Sequence, residues 1–172
     1  FELAEQAEDD YIPLYIFDRD ELAGPDSSLR HQQFVFHSLV DMNKQLEAFG
    51  REIIVCWGNT DKIFEFFSHL FSVNKVFSYQ ESGTIRTWKR DQRVAAFFAD
   101  NGIDWRQGQR DGVVRGMDSR DGWSKAWLDC MNRPLFYPTY SAPGEHIHAF
   151  FKGISDRHPF PIPAELRAEL ER

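Results

Sequence analysis

The chain has 172 residues, the length of one domain, and at 42% hydrophobic and 15% aromatic it can fill a core. A net charge of −7 argues against direct nucleic-acid binding, which needs clustered Lys and Arg, and Cys56 and Cys130 supply neither a disulfide framework nor a zinc spacing. No apolar run reaches the length of a bilayer span, and a reducing cytoplasm is the expected compartment.

Phe1 to Glu8 reads as the end of a helix, with Phe1, Leu3, Ala4 and Ala7 on one face. A chain that begins inside a helix is expected to be preceded by a strand and the rest of that helix. Tyr11 to Phe17 is a nearly continuous apolar run that stops at Asp18-Arg19-Asp20, as in a strand covered on both faces. Pro13 has no N–H and belongs near the start of that strand. A loop marked by Gly24-Pro25-Asp26-Ser27-Ser28 follows. Val35, Leu39, Met42, Leu46 and Phe49 then recur at helical spacing, and Gly50 stands where a helix ends in a residue of positive φ.

Ile53 to Trp57 is a second buried strand, and the helix between the two is the crossover that parallel strands require. Asn59 or Thr60 caps a helix whose apolar face is Ile63, Phe64, Phe67, Leu70 and Phe71. A third strand ends at Tyr79. A helix from about Ile85 to Asn101 presents Trp88, Val94, Ala95 and Phe98, and Gly102 leads to a fourth strand, Ile103 to Arg106. Alternation of this kind is the grammar of an α/β domain with a parallel sheet. A short helix is expected within Asp121 to Met131. The proline-rich stretch 136–172 reads as a connector of turns and extended chain rather than core, with a charged helix at most at Glu165 to Arg172.

In an open α/β sheet, ligands sit at the carboxyl ends of the strands. Three such ends are legible: Phe17-Asp18, Trp57-Gly58-Asn59 and Tyr79-Gln80-Glu81. Their polar groups can hold the edges of a planar ligand, or Asp18 and Asn59 can simply cap loops and helices. No glycine-rich dinucleotide or P-loop fingerprint follows any strand, and no Gly-x-Ser-x-Gly elbow is present. Catalytic residues are therefore not assigned. His146-x-His148 lacks a third metal ligand, so no metal site is assigned either. Arg86, Lys89, Arg90 and Arg93 surround Trp88 as a basic patch that could stack or hold phosphate. As a solvated helix face, the same patch has Asp91 as an ion-pair partner.

Taken together, Leu14 to Asp18, Arg30 to Leu46, Trp57-Gly58-Asn59, Tyr79-Gln80-Glu81 and Arg90-Asp91-Gln92-Arg93-Val94 resemble the cryptochrome/DNA photolyase family. Gly112 to Gly116 and Arg120-Asp121-Gly122-Trp123 resemble a segment of one bacterial branch of it. The resemblance runs to about Leu135. It implies a flavodoxin-like, Rossmann-like three-layer α/β sandwich at residues 1–135, without the family's first strand, and a connector at 136–172 towards a helical FAD-binding domain. It further implies a light-harvesting domain of a deoxyribodipyrimidine photo-lyase or a cryptochrome, inactive by itself, with damaged DNA and FAD engaged by the helical domain. Phe17 and Asp18 match positions of a deazaflavin or flavin pocket in some members, and Arg30, His31, Phe34 and Glu81 are its further candidates. Folate is disfavoured, because Arg86-Thr87 stand where folate-binding members have Asn-Glu. The resemblance assigns Arg115 no role. The alternatives are a nucleotide- or flavin-binding module of another doubly wound family and an interaction domain with an empty pocket.

Overall fold

The computed structural model describes residues 4–5, 10–109, 112–116, 118–135, 137, 139–145, 147–149 and 158–172. Ala4 and Glu5 are helical, whereas the rest of the expected amino-terminal helix and His146 of the histidine pair lie outside the described residues. The chain forms two compact units, residues 1–67 with 138–172, and residues 68–137. Each is a parallel strand pair joined by a crossover helix.

In the first unit, β1 (Leu14–Asp18) leads into the short α1 (Arg19–Leu22) and then α2 (Leu29–Leu46). Ser28 starts α2 by accepting the His31 N–H at 3.3 Å, satisfying one of the donors that a helix start leaves unpaired. The last turn tightens to a 3₁₀ helix, Glu47–Phe49, and Gly50 closes it in the left-handed region at φ 68°, as its place in the sequence requires. β2 (Ile54–Gly58) returns parallel to β1, pairing Leu14 with Ile54 and Asp18 with Gly58. The strand begins after Pro13, whose carbonyl accepts the Ile54 N–H at 2.8 Å. α3 (Thr60–Leu70) follows and buries Ile63 and Phe67.

The core of this unit is Phe17, Phe36, Leu39, Leu46, Ile53 and Leu170, with Val35, Leu166 and Ile162 packed against it. The stripe on α2 is therefore not the expected one. Leu39 and Leu46 are inside, but Phe36 replaces Met42 and Phe49, both of which are 38% exposed. The reason is Asn43. It occupies the core-facing position between Leu39 and Leu46, accepting the Ile53 N–H at 2.8 Å and donating to the Ile53 carbonyl at 3.3 Å. A polar residue on the inner face displaces the apolar periodicity by one position, and the 3₁₀ turn then rotates Phe49 away.

The carboxyl-terminal stretch also departs from expectation. α6 (Ala164–Leu170) packs on α2, and Leu170 has no exposed surface at all. The Gln33 side chain donates to the Glu169 carbonyl at 2.8 Å. Residues 158–172 thus build core, correcting the reading of this part as connector alone. Three leucine or isoleucine side chains in a proline-rich background were enough to form a buried face. Upstream, Arg51 is only 3% exposed. It donates to the Ser141 carbonyl (2.7 Å), the Ser141 hydroxyl (3.0 Å) and the Tyr11 carbonyl (3.1 Å) while lying over the Tyr11 ring at 3.9 Å.

In the second unit, β3 (Lys75–Tyr79) and β4 (Asp104–Gly108) pair in parallel across α4 (Ile85–Asp100), which ends before Gly102 at φ 67°. Asp91, Val94 and Phe98 face inward, whereas Trp88, at 44% exposure, and Ala95 do not. Asp91 plays the part that Asn43 plays in α2, a polar side chain at a core-facing position. α5 (Trp123–Met131) comes last in this unit. Among the described residues the strand pairing is confined to β1–β2 and β3–β4, both parallel. No helix among them is long and apolar enough to cross a membrane.

Leu39→Ala and Leu170→Ala are each expected to cost about 2–5 kcal/mol in a urea melt, as buried large-to-small changes, and Met42→Ala far less. Equal losses at all three positions would contradict the inward face described. Cys56 is fully buried, and burial pushes its thiol up to about 12 from an ordinary 9.0. The folded state holds the proton more tightly than the unfolded chain. This contribution to stability is therefore complete below the unfolded value and is lost as pH rises from 9.0 towards about 12. A thiol reagent at roughly neutral pH is expected to label Cys130 in the native protein and Cys56 only after denaturation.

Candidate cofactor site at the strand ends

The carboxyl ends of β1 and β2 lie side by side because the strands are parallel and in register, Phe17 opposite Trp57 and Asp18 opposite Gly58. Asp18 is 2% exposed. Its Oδ1 accepts the N–H groups of Asp20 (3.0 Å) and Glu21 (3.4 Å), and its Oδ2 accepts the Thr60 N–H (3.1 Å) and hydroxyl (2.6 Å). One carboxyl group therefore serves the first turns of both α1 and α3, whose backbone donors would otherwise lack partners. Asn59 was an alternative cap for α3. Its amide instead reaches the Asp20 carboxyl at 3.4 Å.

Beside this tie an open cleft of about 420 Å³ is lined by Arg19, Asp20, Leu22, Ala23, Gln32, Trp57 and Leu166. The Arg19 guanidinium lies over the Trp57 ring, 5.2 Å from its centroid. The Gln32 amide is oriented by the Ser27 hydroxyl at 2.8 Å. A half-buried indole, apolar Leu22 and Leu166, and a rim of one cation, one carboxylate and one amide suit a planar aromatic ligand with polar edges.

The residues singled out in the sequence are distributed unevenly about this cleft. Phe17 is 3% exposed, inside the core and edge-on to Tyr15. Asp18 is committed to the helix starts. Arg30 and His31 lie exposed on the first turn of α2, and Phe34, on the same helix, is 75% exposed. Glu81 belongs to the second unit, where it accepts the Gly83 N–H at 2.7 Å and lies 3.6 Å from Arg90. Arg19, Gln32 and Trp57 went unassigned in the sequence. Trp57 carried a signal, an aromatic residue closing a buried strand, but Arg19 read only as part of a polar turn.

Within the basic patch of α4, Arg90 enters an ion-pair network. Arg90 bonds Asp91 at 2.8 Å, and Arg115, left without a role by the sequence, lies 4.0 Å from the other Asp91 oxygen. Asp91 is thereby buried with its charge compensated.

No curated protein matches the chain. Among solved structures, an archaeal photolyase from Sulfolobus tokodaii, described with two FAD molecules and the implication of a novel light-harvesting cofactor, is similar at 19% identity and a TM-score of 0.56. The match covers 80% of this chain and 32% of that one, so the chain spans about a third of that protein's length. At this identity the likeness establishes the fold, an α/β domain of parallel strands and flanking helices. The family model for DNA photolyase matches residues 1–120, well over half of the sequence. The chain belongs to the DNA photolyase family, within its amino-terminal α/β domain.

Proposed function

We propose that this chain is the light-harvesting domain of a photolyase, and that a flavin or deazaflavin seats in the cleft at the ends of β1 and β2. The observation that carries this reading is the pairing of Arg19 with Trp57 at the strand ends of a domain from this family. A ring system entering the cleft stacks on Trp57 in place of the guanidinium. Arg19 is then free to donate to a carbonyl or phosphate at the ligand's edge, and Gln32 offers a second polar contact. The chemistry a bound antenna supplies is absorption of near-ultraviolet or blue light and transfer of that excitation. Such transfer asks the protein only for a fixed distance and orientation, not for an acid, base or nucleophile.

In the whole protein, the reaction is light-driven repair of pyrimidine dimers. Damaged DNA and catalytic FAD belong to a helical domain reached through the stretch 136–172. Arg30, His31 and Phe34, exposed on α2, are outer contacts for the chromophore or for that domain. Flavin is favoured over folate because Arg86 and Thr87, on α4 of the second unit, lack the carboxylate and amide that a pterin edge would use.

The test is fluorescence titration of the purified chain with FMN, 8-hydroxydeazaflavin and a reduced folate in separate experiments. One of the two flavins is expected to bind, and Trp57→Ala to weaken it by roughly tenfold or more, the scale of one lost aromatic stack. Illuminated chain alone is expected to leave pyrimidine dimers intact. Tight folate binding abolished by Arg86→Ala, with no response to either flavin, would overturn the choice of cleft.

A further inference from the structure

The two side chains that shape the cleft flank a buried cross-tie. Arg19 directly follows Asp18 at the end of β1, and Trp57 directly precedes Gly58, the residue that Asp18 opposes on β2. Asp18 does not line the cleft, and its oxygens are occupied by the donors of Asp20, Glu21 and Thr60. The shortest of these bonds, from the Thr60 hydroxyl at 2.6 Å, joins the end of the first strand to the start of the helix that follows the second. Beside it, the junctions Asp18-Arg19 and Trp57-Gly58-Asn59-Thr60 are joined by the strand ladder, the Thr60 N–H, the longer Asn59–Asp20 bond at 3.4 Å and the Arg19–Trp57 contact itself.

We propose that Asp18 is a positioning residue. Through its bond to the Thr60 hydroxyl it sets the spacing and tilt of Arg19 against Trp57, and with them the slot that accepts a planar ligand. The inference rests on the cleft being the chromophore site, but it concerns the apo geometry and can be read without ligand. A carboxyl with every oxygen engaged has no remaining contact to give a ligand. Its effect must therefore pass through the residues on either side of it.

The experiment compares Thr60→Val, which keeps shape and loses the hydroxyl, with Thr60→Ser, which restores it, alongside Asp18→Asn. Each full chain carries 5-fluorotryptophan, with the Trp57 resonance assigned by its loss in Trp57→Phe. Thr60→Val and Asp18→Asn are expected to shift or broaden that ¹⁹F resonance and to weaken FMN binding by about tenfold, the scale of one charge-assisted hydrogen bond. Thr60→Ser is expected to match wild type in both. A wild-type resonance and affinity in Thr60→Val would overturn the proposal, as would a Thr60→Ser chain as impaired as Thr60→Val. If Asp18→Asn does not fold, the Val and Ser pair decides alone. If wild type binds neither FMN nor 8-hydroxydeazaflavin, the flavin reading of the cleft falls, and the ¹⁹F comparison still decides whether the tie positions Trp57.

Discussion

The first unit depends on one buried carboxyl group. A parallel strand pair brings two helix starts to the same end of the sheet, and each start presents N–H groups that have no partner within the helix. Thr60, at the start of α3, is buried, so its donors lie in a place water reaches poorly. Asp18, the last residue of β1, answers both at once through its two oxygens, one serving α1 and the other α3. An apolar side chain there would leave the buried donors of Thr60 unsatisfied, each at a cost of about 1–3 kcal/mol. The acid is thus a consequence of the topology.

Three other polar residues repeat the pattern in other settings. Asn43 turns towards the core from α2 and pairs with both backbone groups of Ile53, so the helix and the incoming strand are held at one offset. Asp91 turns inward from α4 and gathers Arg90 and Arg115. Arg51 fastens the segment around Ser141 to the entry of β1, with its guanidinium flat on Tyr11. An apolar core resists sliding weakly. These directional bonds select one register, since shifting any of them by a residue leaves buried polar groups without partners.

The cleft and the absence of any acid–base or nucleophile constellation in the sequence are compatible for a physical reason. On the light-harvesting reading proposed above, the domain has only to hold a chromophore at a fixed position and orientation. Aromatic and aliphatic walls do this, aided by a polar rim that orients the ring. Trp57, Leu22 and Leu166 supply the walls, and Leu166 is present because the carboxyl-terminal helix folds back into this unit. That return gives the proline-rich end of the chain a share in lining the cleft.

Much of the fold could be read directly from local sequence. The strands, the crossover helices and the closing glycines Gly50 and Gly102 are encoded in short windows, because strand burial, helix periodicity and positive φ each have a nearby signature. The family likewise declared itself through the order of short motifs from Leu14 to Trp123. Tertiary structure alone decided which helix face points inward. At Asn43 and Asp91 a polar residue holds an interior position, and hydrophobic periodicity has no means of anticipating a side chain whose partner is a distant backbone group or arginine. Tertiary structure also decided that Leu170 completes a core formed more than a hundred residues earlier, and that Asp18 is a tie while Arg19, Gln32 and Trp57 face the cleft. The sequence located the strand ends, and the cleft opens beside two of them. Which side chains there are free to meet a ligand depends on hydrogen bonds made across the fold, and those exist only once the two strands are paired.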